Sequence, residues 1–119
     1  MACQQEEEIE FSKQIQGVWN WEQSVGGIGG WTLTPKTENY SKTLYIGSNT
    51  IKEYKDNKLQ FTSTYLLKIN IDSSTSNCCY YLEFPNGIPS QSIWIEDQQL
   101  LLYDLISDGY THSYSRKLY

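Results

Sequence analysis

The sequence predicts an all-β domain: an eight-stranded up-and-down antiparallel barrel, with a short helical turn at its N-terminal side. Three observations carry that expectation. Aromatic residues make up 14% of the chain, and large amphipathic rings suit a pleated surface better than a helix. Alanine is confined to Ala2 and there is one Met, which argues against a helical bundle. Short apolar runs recur between tight turn signals, the pattern of a β meander. At 119 residues the chain can hold one domain with a modest core.

Residues 1–10 read as a flexible N-terminal tether and 11–119 as the barrel domain. The net charge of −5 is largely an end effect, because Glu6, Glu7, Glu8 and Glu10 cluster in the tether. The body is nearly balanced and has no basic stripe, so nucleic acid is not expected as a partner. No run approaches the roughly 18 apolar residues of a membrane helix. No cofactor or metal is expected either. The three cysteines have no zinc-site spacing, and Asp72–Asn77 lacks the Gly and closing Glu of a calcium loop. Cys78 and Cys79 are strand neighbours that face opposite sides, so a bond between them would strain the backbone.

In chain order, Phe11–Gln16 is the helical turn, capped by Ser12. Phe11 and Ile15, four residues apart, share a face that could plug one end of the barrel. The first strand covers Gly17–Ser24 and places Trp19 and Trp21 on one face, where their indoles need a deep apolar interior. Gly26–Gly30 follows as a bent loop. A phosphate cradle would need a helix directly after it, and Pro35 stands against that. The second strand is Ser41–Ile46 and the third Thr50–Lys55. Asp56-Asn57 between the third and fourth tolerates positive φ, a hairpin signal. Leu59–Ile69 alternates most cleanly, with Leu59, Phe61, Ser63, Tyr65, Leu67 and Ile69 on one face. At roughly 3.3 Å per residue it is too long for a small barrel, so a bend near Ser63 is expected. Cys78–Phe84, Ser92–Glu96, Gln99–Leu105 and Tyr110–Leu118 complete the meander. Such a sheet escapes exposed edges best by closing on itself, first strand beside last.

Two resemblances sharpen this reading. Gly17-Val18-Trp19 on the first strand, with Arg116 late on the last, resembles the kernel signature of lipocalins. The Gly-rich loop, Thr34-Pro35, Tyr40–Ile46 and the Asp56-Asn57 hairpin fit small lipocalin-like (calycin-type) domains of bacterial lipoproteins. The lipocalin Thr-Asp-Tyr motif is missing. The resemblance implies that Gly17, Trp19 and Arg116 act in structural closure, with a guanidinium laid over the Trp19 ring. Ala2-Cys3 ahead of Gln4-Gln5-Glu6 is similar to a lipoprotein junction. That implies lipidation at Cys3, contact with membrane only through the lipid anchor, and a place in the cell envelope, at the outer membrane or in the periplasm.

The expected site is the open end of the barrel, rimmed by the Gly26–Gly30 loop. Trp21, Ile28, Trp31, Phe61, Tyr65 and His112 are its candidate ligand-binding residues, since small-molecule sites are concave, apolar and sparsely polar. The same rings could instead fill the interior. His112 is the single histidine. It would serve as a general base or metal ligand only with partners, and no Ser, Cys or Asp sits at a triad spacing from it. Glu96/Asp97 and Asp104/Asp108 read as solvated turn residues. The first functional reading is a non-enzymatic, lipid-anchored module that binds a small hydrophobic or amphipathic molecule. The alternative is a cell-envelope surface protein with a filled barrel, acting through protein contacts. An enzyme is a distant third.

Overall fold

A computed structural model describes residues 2–27, 29–71, 78–105 and 109–117, and their side chains except those of 2–8, 70–71 and 78–79. Ile28, the Asp72–Asn77 loop and Asp108 lie outside the described residues, as do the side chains of Cys3, Cys78 and Cys79. The elements in order are α1 (Ala2–Ile15), β1 (Gly17–Gly26), β2 (Trp31–Leu33), α2 (Pro35–Glu38), β3 (Lys42–Ile46) and β4 (Thr50–Lys55). Then come β5 (Lys58–Thr64), β6 (Leu66–Ile71), β7 (Cys78–Glu83), β8 (Gln91–Glu96), β9 (Gln99–Asp104) and β10 (Tyr110–Arg116).

The strands form one antiparallel sheet in the order β5-β4-β3-β1-β10-β9-β8-β7-β6, with β2 attached to β1, and it curls into a nearly closed barrel. The first and last strands pair as the closed meander required, with Trp19 opposite Arg116. The strand number is ten rather than the expected eight. One extra strand arises because Trp31–Leu33 folds back onto Ser24–Gly26. The other arises because the long fourth segment breaks at Tyr65. Before the break β5 pairs with β4; after it β6 pairs with β7. The bend thus falls two residues past Ser63, where Tyr65 drops its ring into the core and donates its backbone N–H to Asn49 and its hydroxyl to Gly47.

β5 and β6 are therefore the two edges of the sheet, joined through one residue. The expected half-buried face holds from Ser63 to Ile69, where Tyr65 is buried and Leu67 and Ile69 pack on the core, and fails in β5, where Leu59 and Phe61 are both exposed. An edge strand has a partner on one side only, and here its apolar face has little core beneath it.

The helix is longer than one turn. Its backbone continues through residues 2–10, and its C-terminal part docks Phe11 and Ile15 into the core cluster. The Phe11 ring stacks on Tyr80 at 4.0 Å. Pro35, expected only to block a helix, occupies the first turn of α2, where its missing N–H costs nothing. Thr34 and Thr37 close a capping box there, and Asn39 ends the turn at φ 60°. Asp56 and Asn57 turn β4 into β5 with φ of 49° and 68°, as their residue types foretold.

Trp19 is fully buried, and its indole N–H donates to the Ile15 carbonyl at 2.9 Å. The Arg116 guanidinium carbon lies 4.2 Å from the centroid of its ring. The guanidinium also donates to the Gln16 carbonyl at 3.2 Å and the Gln14 carbonyl at 2.6 Å, satisfying acceptors at the end of α1. Gly17 explains its own place in the motif. A Cβ there would sit 3.0 Å from an Arg116 nitrogen, and its φ of 139° suits glycine.

Arg116→Ala removes the cation–π contact and both carbonyl bonds, so it should cost about 2–3 kcal/mol in denaturant unfolding. Arg116→Lys should recover less than half of that, because an ammonium cannot stack and fork together. An unchanged midpoint for Arg116→Ala would show that the seam is held elsewhere.

Candidate functional site

A cavity of about 310 Å³ lies between β3–β5 on one side and β9–β10 with the β7–β8 loop on the other. Leu44, Ile51, Phe61, Phe84, Leu102 and Tyr114 supply its apolar wall. Lys42, Glu53, Gln91, Asp104 and His112 supply its polar side. Phe61, from the edge strand, and Pro89, from the loop, are both exposed and mark the rim.

The polar side is built on a relay of hydrogen bonds. The Trp21 indole N–H donates to Ser24 Oγ at 2.8 Å. Ser24 Oγ lies 2.6 Å from His112 Nδ1, and His112 Nε2 lies 3.1 Å from an Asp104 oxygen. Gln91 donates to the other Asp104 oxygen at 2.7 Å, and the Tyr110 backbone N–H adds a bond at 3.1 Å. Ser24 is 2% exposed, so its hydroxyl proton needs an acceptor. Nδ1 is the atom it meets, and the ring is held at both nitrogens, between Ser24 and Asp104.

Burial pushes the Asp104 carboxyl up. The bonds from Gln91 and Tyr110 outweigh this, together with the imidazole, and hold it below the ordinary 3.8. Asp104 is therefore a partnered anion in the wall and not the solvated turn residue expected.

Ser24, His112 and Asp104 do come together, although their spacing in the sequence suggested no triad. A β-bulge explains the miss. Trp19 opposite Arg116 and Trp21 opposite Tyr114 set one register; between Trp21 and Gln23 it shifts by one residue. The shift turns Ser24 inward, opposite His112, where strict alternation would have placed Gln23. The residue types match a hydrolytic triad, but the geometry does not serve one. Ser24 is buried, does not line the cavity and accepts the indole N–H. The relay orients the ring.

Of the six candidate ligand-binding residues, Phe61 and His112 line this cavity. Trp21 stacks on Tyr40 at 5.7 Å, with the Lys42 ammonium 4.5 Å over its own ring, and stands outside the lining. Tyr65 borders a different hollow, of about 370 Å³, with Leu66, Phe84 and Pro85. Trp31 is 64% exposed and does not border the cavity. The Gly-rich loop has a packing reason. A Cβ on Gly26 would come within 2.4 Å of the Gly109 carbonyl, so β1 can press against Gly109 only as glycine. Gly17, Trp19 and Arg116 meet at the seam.

No family model matches the chain, and neither does any curated protein or solved structure.

Because Asp104 titrates lower in the folded than in the unfolded chain, it stabilises the fold above the ordinary carboxylate range. That contribution should fade as the pH falls below about 4, through the lowered folded value. Asp104→Asn should flatten the acid limb of a stability–pH curve measured by denaturant unfolding. It should also cost about 1–3 kcal/mol at pH 7, since Nε2–H and Gln91 lose an ionic acceptor. An acid limb of unchanged steepness would remove Asp104 from this role.

Proposed function

We propose that the chain is a lipocalin-like binding module, non-enzymatic, that holds a small hydrophobic or amphipathic molecule in the cavity described above. The observation that carries the reading is the cavity itself. It is lined by aliphatic and aromatic side chains and has one fixed polar side, the usual make-up of a small-molecule site. The Trp19–Arg116 stack and the pairing of the first and last strands support the lipocalin likeness. Anchoring in the cell envelope through lipid on Cys3 belongs to the same proposal and rests on the sequence around that residue.

A second reading is a surface protein that acts through protein contacts. It is favoured by Trp94 and Tyr103, exposed at 48% and 37% on adjacent strands. That reading needs a filled barrel, and the open volume beside Leu102 counts against it.

Nile red, an uncharged apolar dye, should bind saturably at one molecule per chain with a blue-shifted emission. Ile88→Trp, a bulky ring on the cavity wall, should weaken that binding about tenfold or more, with little change in thermal midpoint. Absence of saturable binding, or indifference to Ile88→Trp, would move the reading to the protein-contact alternative.

A further inference from the structure

The polar side of the cavity carries two carboxylates, Glu53 and Asp104, together with the Lys42 ammonium and the His112 imidazole. Those two carboxylates differ in how far they are committed. Asp104 already receives Gln91, Tyr110 and the imidazole. Glu53 has only Lys42, at 3.8 Å, which is long for an ion pair, and it accepts no hydrogen bond among the described residues. Lys42 in turn is shared with the face of Trp21. The Glu53 lone pairs are thus open to another donor.

Tyr114 supplies an independent observation. Its side chain is 3% exposed and lines the cavity, yet its hydroxyl has no hydrogen-bond partner among the described residues. No sealed side-chain polar atom among those residues lacks a partner. The Tyr114 oxygen is therefore not sealed: the cavity reaches it. Burial first, then the charges of Glu53 and Asp104, push the phenol well above its ordinary value, so it stays protonated and both carboxylates bear on it. A buried hydroxyl left without a partner beside an under-used carboxylate is a polar site waiting for a complementary group.

We infer that the cavity selects amphipathic amines: a primary ammonium on a compact apolar body, its N–H groups received by the Glu53 carboxylate and the Tyr114 oxygen. The inference rests on the reading of this cavity as a ligand site. An ammonium supplies the donors that the Glu53 carboxylate lacks. A carboxylate head would bring a third anion into a partly dehydrated space and would leave Glu53 without a donor. An alcohol head satisfies the hydrogen bonds but not the charge, so it ranks between them.

The test is competition against bound Nile red by three ligands that share one chain: octylammonium, octanol and octanoate. Octylammonium should displace the dye at a concentration about tenfold or more below that of octanoate, with octanol between them. Glu53→Gln should erase most of that preference, and an unchanged thermal unfolding midpoint reports that the variant is folded. Tyr114→Phe, which keeps the ring, should weaken octylammonium about three- to tenfold. Equal or tighter displacement by octanoate, or a preference that survives Glu53→Gln, overturns the amine assignment and leaves the binding module standing. If Nile red itself does not bind, the binding reading falls and the assignment falls with it.

Discussion

The fold depends on a single seam. Trp19 is a large indole with nowhere to go but the interior, and burying about 200 Å² of it is worth roughly 5 kcal/mol as an upper figure. That gain is available only if something covers the ring at the end of the barrel. Arg116 does so, and the same guanidinium ties off carbonyls at the end of α1. One side chain therefore fixes three elements relative to one another: β1, β10 and the helix. Gly17 has to be bare because the guanidinium passes so close to it.

Closure at that seam determines where the sheet opens. A linear path of strands has two ends, and with β1 and β10 in the middle those ends are β5 and β6. They belong to one long segment bent at Tyr65, so the chain bridges the gap covalently where the ladder does not. The cavity takes Phe61 of the edge strand β5 into its wall, and the second hollow borders both edges through Thr64, Tyr65 and Leu66. Few backbone bonds cross between the two edge strands.

The polar side of the cavity depends on a local irregularity at the other end of β1. Without the register shift after Trp21, Ser24 would not face inward and His112 would lose its contact with Ser24. A bulge of one residue thus decides what a ligand would meet. This is a common use of bulges, which re-aim a side chain near a site at small cost to the sheet.

Much of the architecture could be read from residue types alone. Alternation, the Asp56-Asn57 turn and the paired tryptophans each express a local preference, and local preferences survive folding when nothing stronger opposes them. Phe11 and Ile15 were legible as a plug for the same reason, and Phe61 and His112 as cavity residues because their chemistry suits one. The bend of the long segment was expected near Ser63 and falls at Tyr65; the added strand at Trp31 and the meeting of Ser24, Asp104 and His112 were not legible. Each depends on which strand lies beside which, and in what register. A one-residue shift reverses the face of every side chain after it. The sequence by itself therefore determined that this protein is a β-barrel joined at Trp19 and Arg116. Only the tertiary structure decided where the barrel gapes and which polar groups look into it, because both are settled between segments far apart in the chain.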